Sequence, residues 1–369
     1  MRQKGGIIYR NLTINMCIYY TNQPSLHYTG QEHIFPAGIG GIQKLPKGYV
    51  SDEFNTDISK LEQSFLRESF ISAARQTEGP GKRGSLSEKK ATKSAIHVLV
   101  ESQSQQITGL GYIKLGKAFE IPNVKINVTT GQLTIGFDRN SFISSEENIK
   151  QFISRCEDPQ ILNIRTIVDD RLDPETILFG IQGDIEENFD SFFACHSSNK
   201  MNFSTDYIQR IGKSLHAETS EPQAQKYWPL VHQSVKFKED YFRIYGKIAF
   251  NFLASLKGKE FALNTQFDPL RNWITGDGVN EFAQLDTSPA AFQAMLAPKD
   301  QSIHYVILSK VNDMLIASVS FYGALKSIIL LAKNFDKPFE DDGLICEWKS
   351  QREYKYREFL AKIVMSNTP

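Results

Sequence analysis

This sequence has no excess of charge of either sign. Its 369 residues carry 42 Lys and Arg against 42 Asp and Glu, a formal net charge of zero. That excludes a chain that is basic throughout. Cysteine is scarce too. Cys17, Cys156, Cys195 and Cys346 are the four present, no two at metal-ligand spacing, so a disulfide-dense secreted module is excluded and a reducing, cytoplasmic location is expected. Long apolar runs are absent. The most apolar window, residues 314–332, is broken by Ser318, Ser320, Gly323, Lys326 and Ser327. It reads as two buried strands around a turn rather than a membrane span. The N-terminus has no signal-peptide stretch. There is no internal repeat, no low-complexity segment, no P-loop, no dinucleotide-binding glycine fingerprint and no zincin motif.

What is present is the composition of a globular protein, 41% apolar and 23% charged, with length for about two to three domains. The balanced charge hides an asymmetry. Residues 1–95 hold 13 basic and 8 acidic side chains, and the remainder holds 29 and 34. The positive excess lies where an anionic partner such as nucleic acid would be met.

Residues 16–20 and 45–50 read as short strands. Ser51 or Asp52 can cap a helix, and Phe54, Ile58, Leu61, Phe65, Ile71 and Ala74 at helical spacing extend it to Arg75. Residues 76–94 hold Gly79, Pro80, Gly81 and Gly84, which break regular structure, and the bases Lys82, Arg83, Lys89, Lys90 and Lys93. This is a solvated linker or an arm for phosphate. Beyond it come a strand at residues 96–100, a hairpin over 124–137 turning at Thr130-Gly131, and a helix over 144–156. A strand is expected at 176–181. Helices follow at 239–256, ended by Gly258, and at 269–274. Strands fill 303–309 and 315–332, and a last helix covers 354–365. The fold class is α+β.

The informative segment runs Cys17-Ile18-Tyr19-Tyr20, Glu32-His33-Ile34-Phe35-Pro36, Gly40-Gly41, residues 45–50, then Asn55 and Ser59-Lys60-Leu61-Glu62. Over residues 14–85 it resembles the HNH endonuclease family, and a looser likeness continues through 241–269. The resemblance implies an N-terminal ββα-metal unit over residues 1–76, a basic linker over 77–94 and a larger α+β accessory or recognition domain over 95–369, with a further division near 205–235. It implies His33 as general base and Glu32 and Asn55 as ligands of a catalytic Mg²⁺ or Mn²⁺, while the charge of the basic stretch makes Lys82, Arg83, Lys89 and Lys90 the expected nucleic-acid contacts. DNA is favoured over RNA, with a role in restriction or anti-phage defence and room for an oligomer or a defence-complex partner. The chemistry agrees with the residue types. A neutral His takes a proton from water, oxygen donors suit a hard ion, and adjacent strand residues point to opposite sides, which separates the tasks of Glu32 and His33. Ser59, where some members place a ligating His, is a poor substitute.

The subgroup that it most resembles has two zinc-binding Cys-x-x-Cys pairs. Here the four positions read Cys17, Tyr20, Ser51 and Phe54. Zinc needs four good donors, so no structural zinc is expected. Tyr20 and Phe54 would stack in its place, each contributing about 2 kcal/mol by burial. The family's middle Asn is also missing, with Pro46 and Lys47 near its position. A catalytically silent nucleic-acid-binding or interaction module is the alternative to an enzyme. Elsewhere Cys195-His196 reads as a buried thiol beside a surface His. Asp169, Asp170, Asp173 and Glu175 read as a solvated turn, and the stripe from Phe242 to Leu253 reads as core.

Overall fold

The structure is a computed structural model that describes residues 16–101, 103–137, 145–157, 161–183, 189–215, 229–231, 238–286, 302–323 and 325–366. The chain divides into two compact units, one within residues 1–75, 79–90 and 236–369, the other within 76–78 and 91–235.

The first unit begins without regular strands. Residues 16–20 and 45–50, expected as strands, are turns and irregular chain, and one antiparallel bridge joins His33 to Lys44. A strand needs a partner along its length. Here Ile18 N bonds only Tyr49 O across that gap, while the residues between close into local turns. Helix α1 (Asp52–Glu68) follows. The Ser51 hydroxyl accepts from Phe54 N at 3.3 Å, and Asp52 and Glu53 in the first turn complement the helix dipole. Phe54, Ile58, Phe65 and Leu66 form its buried stripe.

The helix expected to reach Arg75 is two. Ser69 adopts extended backbone, donates to Phe65 O at 2.6 Å and accepts from Ile71 N. A serine side chain that competes for backbone partners stops one helix and starts the next, here α2 (Phe70–Thr77).

The second unit holds β1 (His97–Glu101), β2 (Ile107–Lys114), β3 (Lys117–Glu120), β4 (Asn123–Asn127), β5 (Leu133–Gly136), α3 (Ser145–Glu157), β6 (Ile161–Val168), β7 (Thr176–Gln182), β8 (Phe189–Cys195), α4 (Thr205–Leu215) and β9 (Pro229–Val231). One sheet runs β3-β2-β1-β9, antiparallel throughout. The other runs β5-β4-β7-β8-β6, with β6 and β8 parallel. The expected hairpin is β4–β5. Its turn is held by the Asn127 side chain, which accepts from Thr129 N and Thr130 N. Phe152 of α3 and Ile208 of α4 cover Phe179 and Phe193 of the five-stranded sheet.

The chain then adds α5 (Phe242–Lys257), α6 (Lys259–Ala262), α7 (Asp268–Thr275), β10 (Ala283–Leu285), β11 (Ile303–Val311), β12 (Met314–Phe321), β13 (Leu325–Ala332), β14 (Asp342–Glu347), β15 (Arg352–Lys355) and α8 (Tyr356–Ser366) to the first unit. Gly258, at φ 87°, ends α5 and donates to Ala254 O. The six strands form an antiparallel sheet ordered β10-β13-β12-β11-β14-β15. The apolar window over residues 314–332 is the β12–β13 hairpin. Among the described residues no helix is long and apolar enough to cross a membrane.

One continuous core joins Cys17, Ile18, Phe35, Phe54 and Phe65 to Ile248, Phe250, Phe252, Val319, Phe321 and Trp348. The compact units therefore divide the chain differently from a cut near residues 76–94. Residues 79–90, read as a linker, belong to the first unit with the N-terminal segment and the C-terminal third. A 75-residue segment without a self-sufficient core borrows apolar surface from the rest of its unit.

Candidate functional site

The Glu-His motif sits on the short bridged segment. Leu45 N donates to Glu32 O at 2.8 Å and Ile34 N to Gln43 O at 2.9 Å, which together make the single His33–Lys44 bridge, and neighbouring Glu32 and His33 on this extended chain point to opposite sides. The chain between the two arms turns through Ala37–Ile39 and the glycine pair. A Cβ on Gly41 would lie 2.0 Å from Phe35 O, and one on Gly40, at φ 96°, 2.6 Å from Trp348 Cβ. These glycines serve close packing of the turn.

His304 of β11 fixes that turn from below. Its Nδ1 accepts from Tyr322 N at 3.0 Å, so Nε2 carries the proton and donates to Ile39 O at 3.0 Å. Burial lowers the His304 pKa to about 3.

Glu32 points to helix α5. The Lys247 ammonium lies 2.6 Å from Glu32 Oε1 and 2.5 Å from Glu62 Oε2, with Glu62 on α1. Lys247 is 1% exposed. Burial pulls its pKa down, but Glu62 and Glu32 outweigh burial and leave it raised. Burial raises the Glu32 carboxyl, with the Lys247 charge opposing. His33 is lowered, first by burial and then by Lys44. It is half-buried, which keeps its imidazole neutral near pH 7.

One turn along α5 from Lys247, the Asn251 amide donates to His33 O at 3.0 Å, and its Oδ1 accepts from the Tyr19 hydroxyl at 2.7 Å. The Tyr19 ring stacks on Phe54 with centroids 3.8 Å apart. Asn55 follows in the first turn of α1, and its buried Oδ1 has no hydrogen-bond partner among the described residues. The Ser59 hydroxyl is used within α1, donating to Thr56 O.

The four positions of the two Cys-x-x-Cys pairs, three of them no longer cysteine, meet in space. Cys17 Sγ accepts from Ser51 N at 3.3 Å, Ser51 caps Phe54, and Tyr20 meets Phe54 edge to face at 5.7 Å. The contact expected between Tyr20 and Phe54 is thus edge to face, with the Tyr20 hydroxyl donating to Asp57 at 2.6 Å, and the parallel stack on Phe54 is made by Tyr19.

Lys82, Arg83, Lys89 and Lys90 are exposed. The turn bearing the first two packs through Gly84 on the glycine turn, where a Cβ would come 3.0 Å from Ala37 O. The basic stretch is thus anchored next to the loop that follows His33.

Glu62 stands in the quoted motif but carries no assigned role there, and Lys247 and Asn251 are not picked out from sequence, although a signal for them exists. A lysine and an asparagine four residues apart inside an otherwise apolar helix are a buried polar pair that needs partners. The stripe from Phe242 to Leu253 reads as core from sequence, yet the helix delivers both side chains to the motif.

The other sequence candidates are structural. Cys195 is buried, and burial raises its thiol. His196 bonds Ser198 at 2.8 Å. Asp169 pairs with Arg171 at 2.5 Å, and Asp173 accepts from Glu175 N within the turn.

Among the described residues no three His, Cys, Asp or Glu side chains form a group that could hold a metal. The expected set differs in kind, one carboxylate and one amide oxygen. Those donors suit a hard ion that keeps several waters, and the unpartnered Asn55 Oδ1 is an acceptor in want of a ligand. Comparison with protein families, with curated proteins and with solved structures finds no match to the chain.

Proposed function

We propose that the first unit is an HNH-type, metal-dependent nuclease centre that hydrolyses phosphodiester bonds in nucleic acid, with DNA as the preferred substrate and phage defence as its setting. The observation that carries the reading is the link from the His33 carbonyl through Asn251 and Tyr19 to Phe54, the neighbour of Asn55, whose buried Oδ1 has no hydrogen-bond partner among the described residues. In this reading residues 16–68 are a ββα-metal unit reduced to a single bridge and a helix.

Glu32 and Asn55 would hold Mg²⁺ or Mn²⁺, which supplies charge neutralisation at the phosphate. His33, kept neutral by burial and Lys44, takes the proton from the attacking water. Asn251 fixes the His33 backbone so that the imidazole does not drift. Lys82, Arg83, Lys89 and Lys90 contact backbone phosphates. A structural zinc has no place in this reading. The Cys17–Ser51 bond and the Tyr19, Tyr20 and Phe54 rings do its work.

A catalytically silent binding module is the second reading, favoured by the ammonium already seated on Glu32. A nicking assay on supercoiled DNA with Mg²⁺, Mn²⁺ or chelator separates the two. Metal-dependent nicking lost in His33→Ala supports the enzyme. Equal background nicking by wild type and His33→Ala leaves the binding module.

A further inference from the structure

The cation already inside the site is a lysine from another part of the sequence. Nζ of Lys247 lies between Glu32 Oε1 and Glu62 Oε2, at 2.6 and 2.5 Å, and is 1% exposed. One helical turn away on α5, Asn251 is neutral and occupied by Tyr19 and His33, and Arg243, one turn the other way, is paired with Asp240. Tyr19 and Asn55 bring no formal charge. The local balance is therefore two carboxylates against one ammonium, one net negative charge.

A divalent ion alone takes this balance to one net positive charge in a largely buried place, where unbalanced charge is costly. A phosphodiester group returns it to neutral. We propose that Lys247 makes cation loading depend on phosphate: the ammonium competes for Glu32 with the divalent ion, and the ion binds firmly only together with the nucleic-acid backbone. Metal and substrate then bind with positive coupling, each raising the affinity of the other by the same factor. Glu62 is the partner that keeps the ammonium in place when the ion takes a share of Glu32. This inference rests on the nuclease reading for the divalent ion and for the identity of the anion.

The test is Mn²⁺ binding to the full chain, followed by the paramagnetic resonance of free Mn²⁺, with and without a short phosphorothioate duplex that resists cutting. In wild type the duplex is expected to tighten Mn²⁺ by about tenfold or more. Lys247→Met keeps the apolar stem and removes the charge. It is expected to bind Mn²⁺ about tenfold tighter than wild type without any duplex, and the duplex then adds little. Equal Mn²⁺ affinity of wild type and Lys247→Met without duplex overturns the proposal. If Lys247→Met does not fold, Glu62→Gln serves. It leaves the ammonium to Glu32 alone and is expected to weaken Mn²⁺ by about tenfold, and an unchanged affinity overturns the proposal. The two readings fail separately. Absence of nicking with the Lys247 effect intact removes the nuclease and leaves the lysine, while His33-dependent nicking with no Lys247 effect does the reverse.

Discussion

The side-chain amide of Asn251 donates to the backbone carbonyl of His33 at 3.0 Å. The bond ties the middle of helix α5 to the residue proposed as general base. The same Asn251 holds the Tyr19 hydroxyl, whose ring lies flat on Phe54, the neighbour of Asn55. Both arms of the candidate site are thus hung on one buried amide of a remote helix.

Asn251→Ala removes two hydrogen bonds at a fully buried position. The His33 carbonyl loses its side-chain partner and the Tyr19 hydroxyl keeps only Lys247 O at 3.3 Å, and leaving a buried group unpaired costs about 1–3 kcal/mol. Urea denaturation is expected to show that loss, and nicking is expected to fall further than the fraction of unfolded protein explains.

Phe54 is 1% exposed and packs between Tyr19 and Tyr20. Phe54→Ala is expected to destabilise the first unit by about 3–5 kcal/mol, the usual range for a buried phenylalanine. Chelator is expected to leave the melting temperature of wild type unchanged, because aromatic packing and the Cys17–Ser51 bond stand where the subgroup has zinc. Calorimetry with and without chelator reads both effects. One tightly bound zinc per chain by metal analysis would sink the second.

His304 sets an acid limit on the fold. Its folded pKa lies at about 3, below the unfolded value of about 6.5. Between these limits the unfolded chain binds the extra proton, so stability falls as pH falls from about 6.5 toward 3, by up to about 1.4 kcal/mol per pH unit. His304→Gln is expected to flatten this part of the pH dependence while lowering stability at pH 7. Denaturant titrations at pH 7, 5.5 and 4.5 compare the slopes.

The N-terminal segment shares one core with α5 and β12. Residues 1–90 expressed alone expose the faces of Phe54, Phe65 and Ile18 that the rest of the unit covers. Circular dichroism is expected to show no cooperative melt for this fragment, and a sharp melt would contradict the shared core.

Much of the fold was legible in the chain. The Thr130-Gly131 turn, the serine cap before α1, the glycine after α5 and the β12–β13 hairpin all follow from local chemistry, and the elements appear where that chemistry places them. The break at Ser69 was not legible, because a serine in a helical pattern bonds either solvent or backbone and only packing decides which. The strands expected at residues 16–20 and 45–50 dissolved into turns because strand propensity counts only where a partner strand lies alongside.

The sequence by itself determined the residue types of the site. A carboxylate beside a histidine, an asparagine at a helix start and a basic turn can be read without coordinates, because spacing along strand and helix sets which side chains share a side. The tertiary structure alone decided what surrounds them. Lys247 reaches Glu62 across 185 positions of chain, and no local rule joins residues so far apart. Only the burial of α5 against the N-terminal segment puts an ammonium between Glu32 and Glu62, since a charge is taken from water only where opposite charges meet it.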